Sequence, residues 1–195
     1  MVIALNVVVS LLRFVASGTT RERFVFVPYR FARGENTEGM LLSHLSHADV
    51  SHLLVNMLGL YYFGPVVEHS LGSARFLLVY VLSGALATTA IYLIRKNEPR
   101  FRVLGASGSI AGVLFAAIVL RPQMSLSLMF LPIPVPAPVF AVLYIVLSSY
   151  FVRQQGSGVC HEAHVGGALT GFALAALLAP HGLAPLIARI ARLMS

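Results

Sequence analysis

The chain has 195 residues, of which 57% are hydrophobic and only 11% are charged, and its mean hydropathy is +0.83. A soluble domain is roughly 45–50% apolar and about 25% charged, so this composition excludes an ordinary soluble protein. The net charge of +7 sits in loops between apolar blocks, which favours lipid headgroups over nucleic acid as its partner. The single cysteine, Cys160, excludes an internal disulfide and a cysteine metal cluster.

Six apolar blocks follow one another, and we interpret each as a membrane-spanning helix, which takes about 20 residues. The first covers residues 2–16; a signal peptide is the alternative, but the basic n-region is missing and Arg13 lies inside the block. The remaining blocks lie at about 52–69, 75–94, 104–120, a segment reaching about 152, and 161–178. The predicted fold is therefore all-α, a single six-helix polytopic domain over residues 1–195.

The connections between these blocks have distinct characters. A long polar loop at about 17–51 carries scattered hydrophobic residues, so we expect it to lie on or dip into the membrane. Prolines at every second position of 131–138 predict an extended segment before the fifth span. The tail, about 181–195, is predicted to form an amphipathic surface helix. Because Trp is absent, interfacial anchoring is assigned to Tyr29, Tyr61, Tyr62, Tyr92, Tyr144 and Tyr150.

A serine between glycines opens the fourth apolar block. Gly105 allows a sharp turn and a close backbone approach, and the helix N-terminus leaves amide groups free to receive an oxyanion. Gly108 and Gly112 are four residues apart and favour close helix packing. Ser107 is thus a candidate nucleophile; the alternative is packing alone, with its hydroxyl bonded to its own helix.

The sixth block contains His164 inside a predicted span, where an ionisable residue marks a functional site by default. Gly167 and Gly171 follow His164 on the same helix face. If this face packs on the glycines of the fourth block, a neutral His164 can act as a general base toward Ser107. The alternative is a core histidine bonded to a backbone carbonyl.

A third polar pair lies on the second block, where His52 and Asn56 are four residues apart. Both side chains can donate hydrogen bonds and complete an oxyanion hole, or they form an interhelical polar clamp without chemistry. Glu162 points to another side of the sixth helix than His164, which favours a dyad over a triad. The seven histidines include no His-Glu-x-x-His pattern, so we predict neither a metal site nor a cofactor.

Together these motifs resemble those of the rhomboid intramembrane serine proteases. The likeness covers nearly the whole chain and is carried by His52-x-x-x-Asn56, Gly105-x-Ser107-Gly108 and His164-x-x-Gly167-x-x-x-Gly171. The resemblance implies a six-helix bundle that hydrolyses peptide bonds in or beside the transmembrane helices of single-span membrane proteins. It implies that Ser107 is the nucleophile and His164 the base, with oxyanion stabilisation by His52, Asn56 and the backbone from Gly105 to Ser107.

Two further positions bear on this resemblance. Glu68, followed by Leu71-Gly72, resembles the structural Glu-x-x-Leu-Gly of the family. Ala111 stands where some members carry an aromatic residue beneath the histidine ring, so we expect other neighbours to position His164. The alternatives to a protease are a catalytically silent rhomboid-like protein that binds membrane helices, and a small transporter or channel, for which ionisable residues are too few.

The charge pattern bears on orientation. The loops after the first, third and fifth spans hold nine Arg or Lys residues, against four in the other loops and the tail. The positive-inside rule favours a cytoplasmic location for the nine, opposite to the family topology. We expect the family topology, because much of this charge lies in a long loop where the rule is weaker, and a bacterial plasma membrane as location. The sequence leaves the oligomeric state open.

Overall fold

The structure is a computed structural model and describes residues 1–128, 131–152 and 160–195. Within these ranges the chain forms ten helices and a two-stranded sheet. In chain order these are α1 (Val2–Val15), α2 (Gly18–Glu22), α3 (Pro28–Phe31), α4 (Gly39–Leu42), α5 (Val50–Leu71), α6 (Ser73–Arg95), α7 (Ser107–Leu120), β1 (Ser125–Leu128), β2 (Leu131–Pro136), α8 (Ala137–Val152), α9 (His161–Leu178) and α10 (Ala184–Met194).

Every predicted apolar block contains a helix. Two of the described helices, α5 and α6, are long and apolar enough to cross a membrane by length and composition, whereas α1 and α7 have 14 residues each. The count of six spans therefore stays a prediction. The tail forms the helix α10, which buries Leu186 and exposes Ile187 and Met194. Of the nine basic residues counted above, Arg153 lies outside the described residues.

The expectation of an all-α fold is wrong in one place. The extended segment over 131–138 is the strand β2, and it pairs antiparallel with β1, with Ser125 opposite Pro136 and Leu126 opposite Val135. Prolines at alternate positions all lack the N–H on the same edge of the strand, which leaves the other edge free to pair. The backbone N–H of Ala137 continues this pattern, donating to the Met124 carbonyl at 3.0 Å. The fold is thus mostly helical with one hairpin.

Helix α7 lies at the centre, surrounded by α5, α6, α8 and α9. Every residue from Gly108 to Val119 is buried, which explains why this helix is apolar on all sides. Its closest neighbour is α9, and glycines make the approach possible. A Cβ built at Gly167 would overlap the Gly108 carbonyl, and one at Gly171 would overlap the Gly112 carbonyl. The two backbones therefore touch along this face.

The segment between α1 and α5, predicted as a loop, contains the short helices α2, α3 and α4 and is tied to the bundle at two points. Phe26 is fully buried and pairs with Val103 in an antiparallel bridge, with N–O distances of 2.9 and 3.0 Å. His47 is also fully buried, and its Nδ1 lies 2.9 Å from Ser10 Oγ on α1. This segment thus bridges the first helix to the residues that lead into α7.

Candidate active site

Ser107 is the first residue of α7 and is half-buried. Gly105 adopts a φ of +129°, a conformation that residues with a Cβ rarely take, and this turns the chain into the helix. The Gly105 N–H donates to the Ser43 carbonyl at 2.8 Å, which fixes the turn. Ala106 is the N-cap and gives no side-chain cap, so the first amide groups of α7 are left to a ligand or water. The partial positive charge of the helix N-terminus lies at the hydroxyl.

The imidazole of His52 lies directly against the Gly105 backbone. A Cβ at Gly105 would come within 2.8 Å of His52 Cε1, 3.0 Å of His52 Nε2 and 3.8 Å of Ser107 Oγ. Only glycine leaves room for this arrangement. The structure therefore brings together His52, Gly105 and Ser107, three of the predicted site residues from two separate apolar blocks.

His52 is held in place by its surroundings on α5. Asp49 is the N-cap of the helix and accepts a hydrogen bond from the His52 N–H at 2.8 Å. The ring of the buried His47 meets the His52 ring edge-on, with centroids 5.1 Å apart. One turn further, the buried Asn56 donates through Nδ2 to the His52 carbonyl at 2.8 Å. An amide NH₂ has two hydrogens, so one of them remains for a ligand.

His164 lies in the first turn of α9, and two aromatic rings among the described residues lie next to its half-buried ring. The Tyr144 ring of α8 is 6.2 Å away at 33°, and the His161 ring is 5.7 Å away at 80°. These two rings are the neighbours that position the His164 ring, since the alanine at position 111 provides no aromatic ring beneath it. The interfacial role of Tyr144 stays a prediction; in the structure its ring packs against Phe115 of α7 and faces His164. No local sequence signal pairs Tyr144 with a histidine twenty residues away.

Ser107 is the first residue of α7 and His164 lies in the first turn of α9, and these two helices touch through Gly108 and Gly167. Within the described part of the chain, no hydrogen bond joins Ser107 Oγ to the His164 ring. Catalytic hydrogen bonds are often long in ligand-free structures and tighten when substrate binds, so this geometry is compatible with a dyad.

The last predicted site residue, Glu68, lies at the opposite end of the bundle. Its exposed carboxylate accepts a hydrogen bond from Ser73 Oγ at 2.6 Å, and its carbonyl accepts one from the Gly72 N–H at 2.8 Å. Gly72 has a φ of +84°. These contacts shape the turn between α5 and α6, far from Ser107. Among the described residues, no group of three or more His, Cys, Asp or Glu side chains could hold a metal ion.

Comparison with protein families adds a decisive observation: the model of the Rhomboid domain matches residues 35–181. The chain belongs to the rhomboid family. The matched range contains every helix from α4 to α9 and all the predicted site residues. The chain is accordingly a membrane protein of the rhomboid family.

Named relatives of this rhomboid-family chain come from plants, animals and bacteria. It is 32% identical over 145 residues to the mitochondrial RHOMBOID-like protein 12 of Arabidopsis thaliana, which covers 66% of this chain and 43% of that protein. It is 33% identical over 134 residues to the human mitochondrial Presenilin-associated rhomboid-like protein, and the aligned region covers 68% of this chain and 35% of that protein. It is 44% identical over 70 residues to the Putative rhomboid protease YdcA of Bacillus subtilis, and the aligned region covers 35% of this chain and 34% of that protein. The chain therefore spans less than half the length of these relatives.

Proposed function

We propose that this rhomboid-family protein is an intramembrane serine endopeptidase that uses Ser107 and His164 as a dyad. The observation that carries the proposal is the meeting of three elements at one point. Ser107 stands at the N-terminus of α7, the His52 ring lies against Gly105, and the helix of His164 touches α7 through glycines. A nucleophile, a base and oxyanion donors are the parts that acyl transfer needs.

The first half of the reaction forms an acyl-enzyme. Ser107 Oγ attacks the scissile carbonyl carbon while a neutral His164 ring accepts its proton. The C–N bond then breaks, and the imidazolium returns the proton to the leaving amine. In the second half of the reaction, water attacks the ester carbonyl while His164 accepts its proton. The Oγ–C bond then breaks as the imidazolium returns this proton to Ser107 Oγ, which releases the carboxylic acid product and regenerates Ser107 and neutral His164. No external oxidant or cofactor is needed.

The negative charge that develops on the carbonyl oxygen is met by donors that are already in place. The backbone amides at the start of α7 have no partner within the helix and are available to bind it, and the helix dipole adds a partial positive charge. The His52 ring and the second hydrogen of the Asn56 amide supply side-chain donors. Loss of one such donor in an enzyme costs about 100- to 1,000-fold in kcat.

The proposed substrates are single-span membrane proteins. A peptide bond within a helix has its carbonyl engaged, so the segment to be cut must unwind locally near the membrane surface. Small or helix-breaking residues in the substrate favour such unwinding.

A second candidate is a rhomboid-like protein that binds membrane helices without cutting them. Two observations favour it. Ser107 and His164 are not hydrogen-bonded to each other in the described structure, and the names of the two mitochondrial relatives say rhomboid-like and do not mention a protease. Such a protein would keep the substrate affinity and lack the chemistry.

Cleavage of a single-span substrate in proteoliposomes separates the two candidates. The protease predicts that Ser107→Ala and His164→Ala each abolish cleavage and that a serine-reactive phosphonate labels Ser107 alone. Ser109→Ala is the matched control, because it removes a buried hydroxyl from the same turn of α7, and cleavage should persist. Substrate binding without cleavage or labelling in the unaltered protein would support the helix-binding candidate and refute the protease.

The cellular location is part of the proposal. We propose a bacterial plasma membrane, supported by the identity to the Bacillus subtilis relative, while the plant and animal relatives carry mitochondrial names. The family topology would place the Ser107 end outside the cytoplasm and the C-terminus inside. Reporter enzymes fused after Ser195 test this, and an external C-terminus would overturn it.

A further inference from the structure

Arg95, the last residue of α6, contacts two other segments of the described chain at the Ser107 end of the bundle. Its Nε donates to Glu162 Oε1 of α9 at 3.1 Å, and its Nη2 donates to the same oxygen. Its Nη1 donates to Glu98 Oε1 at 2.8 Å, and its guanidinium lies 5.2 Å from the centre of the Phe101 ring. One side chain thus joins α6, the loop that leads to Ser107, and the first turn of α9.

The Arg95–Glu162 pair is shielded from water. The side chains are 13% and 9% exposed, whereas the surface pair Arg23–Glu38 is 61% and 38% exposed. Beneath it lies a small apolar cluster of Ala87, Ile91 and Ala163, packed by Phe101, Val103 and Cys160. A shielded pair with several charge-assisted hydrogen bonds has a defined geometry, unlike an exposed one.

The position of this pair links it to both proposed catalytic residues. Glu162 is two residues before His164 on α9, and Phe101 is six residues before Ser107. Cys160 Sγ also donates to Glu162 Oε2 at 3.6 Å, and α9 has no side-chain N-cap. The Arg95 contact therefore fixes the beginning of the helix that carries the proposed base.

We propose that Arg95 and Glu162 are positioning residues that set the distance between His164 and Ser107. The proposal rests on the proposed function, since it concerns the geometry of that dyad. The two residues touch neither substrate nor reacting atoms and act through α9. This also assigns a role to Glu162, which faces away from His164 and is not a third catalytic residue.

A double-mutant cycle in proteoliposomes tests the idea. Arg95→Gln and Glu162→Gln each lower kcat by about 10- to 100-fold, the scale of an ångström-sized misplacement, while KM changes little. Because the two side chains act as one unit, the double variant loses no more than the worse single variant. Glu38→Gln is the matched control: it breaks an ion pair in the segment between α1 and α5 without touching α9, and kcat stays unchanged.

A purely structural role would give a different result. It predicts a lower Tm but an unchanged kcat per folded molecule, or additive losses in the double variant, and either result overturns the proposal. If Arg95→Gln fails to fold, Arg95→Lys keeps the charge but loses the shared contacts, and a partial loss of kcat is then expected.

A measurement without activity separates this proposal from the proposed function. NMR of ring-labelled histidines, assigned with His164→Gln, reports the surroundings of the His164 ring directly. Arg95→Gln should shift or broaden the His164 signal and leave that of His69 unchanged, because His69 lies at the far end of α5. An unchanged His164 signal would overturn the positioning role. Failure of the unaltered protein to cleave or to react with phosphonate would refute only the protease, leaving the NMR result to decide on positioning.

Discussion

Replacement of Gly167 by alanine tests the contact between α7 and α9. A Cβ at this position would lie 2.7 Å from the Gly108 carbonyl carbon and would overlap the carbonyl oxygen, whereas ordinary contacts are 3.4–4 Å. The atoms in its way are backbone, so no side chain can rotate aside. Helix α9 must move outward by about 1 Å, carrying His164 away from Ser107.

Two magnitudes follow from this shift. Overpacking of this kind costs about 1–3 kcal/mol in the free energy of unfolding. Alanine is also the better helix former by about 1 kcal/mol, so the net loss is smaller than the strain alone. A displacement of about 1 Å between base and nucleophile costs about 100-fold in kcat.

Gly166→Ala is the matched control, because it gives the same gain in helix propensity in the same turn. A Cβ there would meet Ala87 Cα at 3.3 Å, a contact that small adjustments relieve. Unfolding in mixed micelles measures stability, and substrate cleavage measures kcat. The free energy of unfolding of the Gly167→Ala variant should be lower than that of Gly166→Ala by about 1–3 kcal/mol. Its kcat should be lower by about 100-fold. Equal stability and equal kcat for the two variants would refute the packing argument.

Three further predictions concern the surroundings of His52. Asp49→Ala removes the acceptor of the His52 N–H and should cost about 1 kcal/mol, seen as a lower Tm, while Asp49→Asn retains most of it. Burial lowers the pKa of His47 from 6.5 to about 4. Between these two pH values His47 is therefore protonated in the unfolded chain but neutral in the folded protein. The free energy of unfolding should therefore fall as the pH drops from 6.5 toward 4, and His47→Gln should flatten this dependence in unfolding titrations at pH 7 and 4.5. Gly105→Ala combines a φ of +129° with a clash against His52, so a loss of about 1–3 kcal/mol and slower cleavage are expected; unaltered cleavage would contradict the role of Gly105.

Much of the helical framework could be predicted because hydrophobic blocks and their breakers are local signals. The predicted block 161–178 coincides with α9, and the block at about 52–69 falls within Val50–Leu71. The difference at the start of α5 has a simple origin, since Asp49 is the N-cap and the helix begins directly after it. The three short helices between α1 and α5 were missed because four or five residues show no periodicity.

The long-range contacts could not be predicted. The partner of β2 was missed because alternate prolines indicate an extended chain but do not say which segment pairs with its open edge. Sequence spacing places Glu162 on a different face from His164, yet it cannot show that Arg95, 67 residues earlier, binds that face. The polar site residues were identifiable because each is a rare chemical type in an apolar block, and the glycines because of their spacing around Ser107 and His164; Tyr144 carries neither signal.

The shortness of α7 has a consequence for the surrounding bilayer. A helix of 14 residues rises about 21 Å, whereas the hydrocarbon core is about 30 Å thick and α5 and α6 are long enough to cross it. A lipid-facing helix of this length would thin the membrane or tilt its neighbours. Because α7 is buried on all sides, no acyl chain meets it, and the hydrophobic mismatch is taken up inside the protein.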